Sequence, residues 1–166
     1  MKTTTVVSTE TRTMQPSDLG QVMVIEDTNG PRSNPMGGAW TKEDFCAVLQ
    51  AANHQGIVAL MKQNRKYKIV GFAVYCLLAD KIHVCNMAVH PEHQGQGVGT
   101  MLIDRLKDKL ARSGRRKALE FDIRESNLPA QLYLKGRGFR AISVVRNWYE
   151  QPVREDAYKF QFKLEG

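Results

Sequence analysis

The chain has 166 residues, 42% apolar and 25% charged, with a formal net charge of +7 and a sequence pI near 9.5. That length and apolar content fit one globular domain spanning residues 1–166 and leave no room for a second. No stretch reaches the roughly 18 apolar residues of a membrane span, and the start "MKTTTVVSTE" lacks a signal peptide's apolar core, so a cytoplasmic protein without membrane contact is expected.

Residues 1–9 read as a flexible N-terminal segment. In "TRTMQPSDLGQVMVIED" a short strand leads into a helix capped by Ser17, with Leu19, Val22, Met23 and Ile25 on its apolar stripe. The proline, glycine and asparagine of 28–40 predict a long mobile loop, and Thr41 caps a second helix ending near Gly56. Three strand-like runs follow, "GIVALMK" (56–62), "YKIVGFAVYCL" (67–77) and "KIHVCNMAV" (81–89), which form an antiparallel meander. A two-residue turn at Asp80-Lys81 would set Cys76 opposite Cys85, although a disulfide is disfavoured in cytosol. With Cys46 the cysteines lack C-x-x-C spacing, and the four histidines are scattered, so no metal site is expected; His90 and His93 are placed on the surface.

A helix over 97–112 has Val98, Met101, Leu102, Leu106 and Leu110 at helical spacing and stops at Gly114. Strand "KALEFDI" (117–123), helix "PAQLYLKG" (129–136) and strands "FRAISVVRNWY" and "DAYKFQFKL" complete the chain. Much of the positive charge lies on the long helix and its exit, at Arg105, Lys107, Lys109, Arg112, Arg115, Arg116 and Lys117. Without interleaved aromatics to stack bases, this run reads as a solvated helix face that steers anionic ligands, and no direct nucleic-acid contact is expected.

The stretch "NMAVHPEHQGQGVGTMLIDRLKDKL" (86–110) passes from a strand through a glycine-rich turn into the long helix. Thr100 and Met101 follow Gly99 where a Walker A loop needs Lys and Ser or Thr, and the dinucleotide fingerprint would need glycine in place of Thr100. What remains is Gln94, Gly97 and Gly99 at a strand-to-helix junction. Such a turn either cradles an anion of pyrophosphate size on backbone N–H groups or simply starts a helix. Alternation in "KALEFDIR" puts Glu120, Asp122 and Arg124 on one face of their strand, so both carboxylates look into the same space.

From Arg12 to Leu164 the chain resembles the GNAT acetyltransferases, and among them the RimI-like enzymes that acetylate the N-terminal alanine of a ribosomal protein. The resemblance rests on "NMAVHPEHQGQGVG", "DIRESNLPAQLYLKGRGFR" and "RNWYEQPVREDAYKF". It implies an α/β (α+β) GNAT fold, a mixed, mostly antiparallel, splayed sheet of about seven strands with about four helices. It implies acetyl-CoA as co-substrate, no metal, and direct acetyl transfer in a ternary complex. The phosphates would sit on the backbone of Gln94, Gly95, Gln96, Gly97, Val98, Gly99 and Thr100; a bulge around Met87, Ala88 and Val89 would align the pantetheine arm, which Asn127 would contact while capping a helix. Asp122 stands where the family carries its glutamate base, with Glu120 as a second carboxylate. Tyr133 matches the tyrosine acid, six residues after Asn127 rather than seven. Tyr149, with Trp148, would grip the substrate.

The expected acceptor is a protein N-terminal amine, on a ribosomal protein, met by a monomer or weak dimer. The alternatives are a GNAT acting on a small amine or lysine side chain, a silent acyl-CoA-binding module and, third, a nucleic-acid-binding role.

Overall fold

The computed structural model describes residues 8–29 and 39–165. Strand β1 (Thr9–Thr13) and helix α1 (Leu19–Asn29) are followed by α2 (Lys42–Gln50) and the meander β2 (His54–Gln63), β3 (Lys66–Leu77) and β4 (Lys81–Val89). Helix α3 (Val98–Arg112), strand β5 (Ala118–Arg124), helix α4 (Leu128–Gly136) and the hairpin β6 (Arg140–Tyr149) and β7 (Glu155–Lys163) complete it. The strands form one sheet in the order β1-β2-β3-β4-β5-β7-β6, antiparallel throughout except for the parallel pair β4–β5. No helix among the described residues is long and apolar enough to cross a membrane.

Several local expectations are corrected. Residues 1–7 lie outside the described residues, but Ser8 accepts the Lys62 N–H and Thr9 opens β1, so the end of the segment expected to be flexible is already in the sheet. Ser17 does not cap α1: it sits inside a 3-10 turn (Pro16–Asp18), where the Asp18 carboxylate takes the Gln15 N–H at 2.7 Å and a bidentate pair from Arg12. The helical turn already begins at Pro16, with Gln15 as its N-cap, so Ser17 lies inside it. Most of the loop expected over 28–40 lies outside the described residues, while Thr28 and Asn29 close α1. Thr41 and Asp44 form a reciprocal capping box, yet α2 stops at Gln50, because residues from His54 onward join β2.

The two sheet faces carry separate cores. On one, α1 and α2 bury Leu19, Val22, Ile25 and Phe45 against Val58, Leu60, Ile69, Phe72 and Val74. On the other, α3 buries Val98, Leu102, Ile103, Leu106 and Leu110 against Ile57, Val70, Ala73, Ile82 and Leu119. The i, i+4 spacing of that stripe keeps one side of α3 on the sheet, and each fully buried Leu contributes roughly 1.5–3 kcal/mol.

The site depends on one irregularity. Tyr75 pairs with Val84 but Val74 pairs with Asn86, so Cys85 is an extra residue in β4. Parallel pairing of β4 with β5 ends just before it, at Val84↔Phe121. Beyond that point the strands part and leave the β5-side edge of β4 without a partner strand. The bulge therefore falls at Cys85, ahead of the Met87–Val89 stretch around which it was expected. The same register sets Cys76 opposite His83 rather than Cys85, and all three cysteines are free.

Candidate active site

After β4 the chain makes a 3-10 turn (Pro91–His93) and then the glycine loop. Gly95 and Gly97 have φ of +72° and +84°, and a Cβ on either would touch nothing within 4 Å. Backbone conformation, not crowding, requires glycine there. Gly97 is the N-cap of α3, and the first turn closes with Met101 N–H on Gly97 O at 3.0 Å. Helix geometry therefore leaves the N–H groups of Val98, Gly99 and Thr100 pointing out of the helix end, where the dipole favours negative charge. The Val98 side chain itself is core. Gln94 and Gln96 spend their side chains on the loop: Gln94 Nε2 donates to Asn29 Oδ1 and Val89 O, both at 3.2 Å, and Gln96 Nε2 to Glu92 O at 3.3 Å.

Above this turn lies a cavity of about 470 Å³ lined by Met87, Ala88, Val89, Gly97, Gly99 and Thr100 from one side and Tyr133 and Arg137 from the other. It continues inward, past the shared Met87, Ala130 and Tyr133, into a second cavity of about 130 Å³ where β4 and β5 have parted. Cys85, Asp122, Arg124 and Asn127 line this inner end. Asn127 caps α4, its Oδ1 accepting the Ala130 N–H at 3.3 Å. Tyr133 Oη lies 2.9 Å from Thr100 Oγ1. A Cβ on Gly99 would come within 3.1 Å of that hydroxyl, so glycine permits the tyrosine its close approach to the α3 N-terminus. The six-residue spacing from Asn127 thus still brings Tyr133 to the loop. Burial, helped by Cys76 and Asp122, pushes the Cys85 thiol up to about 12 and keeps it protonated at neutral pH, which makes it a poor nucleophile.

On the face of β4, β5 and β7 opposite α3, alternation gathers charged groups. Lys159 Nζ lies 3.0 Å from Asp122 Oδ1 and 3.6 Å from Glu120 Oε2, which Lys81 Nζ also meets at 3.0 Å. Gln161 donates to Glu120 Oε1 at 2.8 Å, and His83 Nε2 stands 3.4 Å from Asp122 Oδ2. The two carboxylates share a face, as the period of two requires, but they are not equivalent. Glu120 is 2% exposed and lines neither cavity, whereas Asp122 does. Burial works against ionisation of Glu120, but hydrogen bonds from Lys81 and Gln161 and the charges of both lysines leave its pKa below the ordinary value. Burial pulls His83 down, against the pull of Asp122. Nothing in the sequence marks His83, because only the parallel register of β4 on β5 sets it beside Glu120 and Asp122.

Tyr149 is corrected as a substrate contact. It is 1% exposed, donates its hydroxyl to Asp122 O at 3.2 Å, and lies 4.0 Å beneath the Arg124 guanidinium, so it braces β5 rather than presenting a surface. Trp148 is exposed. The surface placement of His93 also fails: it is buried, and His90, Glu92 and His93 bring three ligand-capable atoms within 4.8 Å of one another. The basic run is not a uniform solvated face, since Lys107 donates to Arg137 O at 2.7 Å and lies 4.1 Å over Phe162.

The Acetyltransferase (GNAT) family model matches residues 22–139. The ribosomal protein bS18-alanine N-acetyltransferase of Escherichia coli K12 is 32% identical over 120 residues, 71% of this chain and 76% of that one. The crystal structure of the ribosomal-protein-S18-alanine N-acetyltransferase from Escherichia coli superposes with a TM-score of 0.77 at 25% identity, over 96% of this chain and 97% of its own. Arabidopsis thaliana NAA60 in complex with acetyl-CoA shares the fold, with a TM-score of 0.78 at 16% identity over 96% of this chain and all of its own. A glycine turn without lysine or metal motif, a sheet opened at a bulge and a tyrosine at the α3 N-terminus thus coincide with the segment the family model covers: this chain belongs to the GNAT family of acetyltransferases.

Proposed function

We propose that this acetyltransferase moves an acetyl group directly from acetyl-CoA to the α-amine at the N-terminus of a protein, with a ribosomal protein beginning with alanine as the favoured acceptor. One observation carries the chemistry. An anion cradle and a carboxylate occupy the two ends of one cleft, and Tyr133 lies where its two parts join. The identity of the acceptor is supported by the relatives that acetylate bS18 alanine.

Acetyl-CoA supplies the thioester and its acyl group. The fit is supported by three outward N–H groups at the start of α3, by left-handed glycines that bring the backbone close, and by a cavity of about 470 Å³ above them. In this reading Val98, Gly99 and Thr100 hold the pyrophosphate, while Gln94, Gly95 and Gln96 shape the turn. The open edge of β4 at Met87, Ala88 and Val89 orients the pantetheine arm, with Asn127 facing it. Asp122 takes the proton from the incoming ammonium, and Glu120 acts at one remove by holding Lys159 against Asp122. Tyr133 gives its proton to the departing sulfur. Trp148 contacts the acceptor. The protonated Cys85 argues against a covalent acyl-enzyme and for direct attack.

The test is mass spectrometry of acetyl transfer to two peptides in one tube. One has a free N-terminal alanine and no lysine; the other has a blocked N-terminus and one internal lysine. Acetylation of the first alone is expected. Acetylation of the second alone overturns the acceptor assignment in favour of side-chain chemistry, and acetyl-CoA binding with neither product leaves a small-amine enzyme or a silent acyl-CoA-binding module.

A further inference from the structure

At the C-terminal half of α3, at the end remote from the glycine loop, a separate cavity of about 340 Å³ opens between that helix and the ends of β1, β2, β3 and β4. Four cations line it: Arg105, Lys109 and Arg112 from α3, and Arg116 from the turn that follows. Among the described residues, no acidic side chain lines it. Arg105, Lys109 and Arg112 form no ion pair among the described residues, and Arg116 is tied only to a neutral carbonyl, its Nε donating to Leu78 O at 2.6 Å. Two of the four lie near Tyr75, which lines the cavity. Lys109 Nζ stands 5.8 Å from the ring centroid of the buried Tyr75, and Arg105 lies close enough to act on the Tyr75 hydroxyl electrostatically.

Attraction to the C-terminal dipole of α3 accounts for the position of Lys109 and Arg112 on the helix. It does not account for four cations around one concavity whose lining holds no carboxylate among the described residues. Like charges at i, i+4 repel, so gathering them is unfavourable unless an anion joins them. From Arg105 to Arg112 the helix rises about 10.5 Å, so the row of cations is longer than a single phosphate group and can follow successive phosphates of one strand. Tyr75 is 2% exposed and cannot stack a base, so recognition here reads charge and spacing and not sequence.

We propose that this cavity seats the sugar–phosphate backbone of an RNA strand and holds the enzyme on a ribonucleoprotein while the other end of α3 serves acetyl transfer. This reverses the expectation that the basic run is only a solvated face. The choice of RNA over a small phosphate anion rests on the length of the cationic row and on the reading of the acceptor as a ribosomal protein.

The test is fluorescence anisotropy of the intact protein with a labelled single-stranded oligouridylate, read across salt. Three or four phosphate contacts predict a log–log slope of about −2 to −3, or roughly a 20- to 50-fold loss of affinity between about 50 and 200 mM salt. The double variant Arg105→Gln/Lys109→Gln should flatten the slope by about 1.4 and bind at least about tenfold more weakly at the lower salt. It should acetylate the free alanine peptide as the parent does. An unchanged slope in that variant overturns the proposal, as does an equal loss in the control pair Arg115→Gln/Lys117→Gln. If inorganic pyrophosphate displaces the probe as well as unlabelled oligouridylate does at equal phosphate, the ligand is a small anion and the RNA assignment falls. Peptide acetylation without RNA binding refutes this inference alone; RNA binding without peptide acetylation refutes only the acceptor reading.

Discussion

Replacing Asp122 by Asn removes the proposed base and keeps an oxygen for Lys159, which now lies 3.0 Å from Asp122 Oδ1. The magnitude follows from the substrate's own titration. An α-amine with pKa about 7.7–8.0 is roughly one-eighth unprotonated at pH 7 and more than nine-tenths at pH 9. If Asp122 only removes the ammonium proton after binding, the variant must wait for the minority free amine, and turnover should fall about eightfold at pH 7 and by less than twofold at pH 9. If the proton leaves while the new bond forms, the pH 7 loss rises toward about 10²-fold or more and still narrows as pH rises. The assay is initial-rate acetylation of the alanine peptide at both pH values with saturating acetyl-CoA, alongside a melting curve. Lys159 and His83 remain paired with the asparagine, so Tm should move little. Equal losses at pH 7 and pH 9 with an unchanged Tm would remove Asp122 from the base role.

Tyr133→Phe keeps the ring and removes the hydroxyl 2.9 Å from Thr100 Oγ1, so kcat at pH 7 should fall about 10²-fold with little change in KM for acetyl-CoA. Unchanged kcat would assign the leaving proton to solvent. Gly97→Ala forces a Cβ onto a residue at φ +84°, which costs about 1–2 kcal/mol or shifts the turn. Calorimetric titration should then show acetyl-CoA binding at least about tenfold weaker, and unaltered affinity would show that the outward N–H groups do not hold the pyrophosphate. Stability should fall on acidification in two stages. The His83 pKa is lowered from 6.5, so the unfolded imidazole takes up protons first, and its contribution, complete above about pH 6.5, is lost as pH falls toward the folded value. Glu120, lowered from 4.5, contributes above about pH 4.5 and loses this as pH falls through its folded pKa. Calorimetric Tm between pH 7 and 4 should show the first stage disappear in His83→Gln; a persistent first stage would assign it to another group.

The parts of the site built from consecutive residues were legible in the sequence, and the parts built across strands were not. Gln94, Gly97 and Gly99 marked a tight strand-to-helix turn, because glycines at an exposed helix start leave a local signature, although from the residues alone that turn could either cradle an anion or simply start a helix. Asp122 and Glu120 read as neighbours because alternation is local too. Their difference was hidden: Lys81 on β4 and Gln161 on β7 bury Glu120 in a lattice of partners, and no pattern along β5 announces it. Tyr149 misled because aromatic residues near a strand end suit packing and recognition equally, and here Arg124 and the Asp122 carbonyl claim it. The start of α1 was misplaced because a 3-10 turn from Pro16 runs into it and carries Ser17 inside the helical segment. Arg105 and Arg116 were read as surface charge because a concavity between helix and sheet ends has no signal along the chain.

The opening of the sheet has a specific cause. Before the bulge, Ile82 and Val84 face the α3 core while Lys81 and His83 face the other way. Strict alternation would then send Asn86 into that apolar core, where a buried amide without a partner carries a penalty of several kcal/mol. The extra residue at Cys85 reverses the alternation. Cys85 and Asn86 both turn toward α1, where Asn86 Nδ2 donates to Glu26 Oε2 at 3.0 Å; Ala88 joins the α1 core, and Met87 packs on the α3 side. The β4–β5 ladder ends at Val84↔Phe121, directly before this bulge, and among the described residues no strand pairs with that edge of β4 beyond it. Glu26, which also accepts the Trp40 N–H at 3.0 Å, thus ties α1 and the start of the α2 segment to the residue that holds the cleft open. On this account the cleft beside β4 is a consequence of where one buried amide finds a carboxylate, and α1 also holds the glycine loop, through Gln94 Nε2 on Asn29 Oδ1.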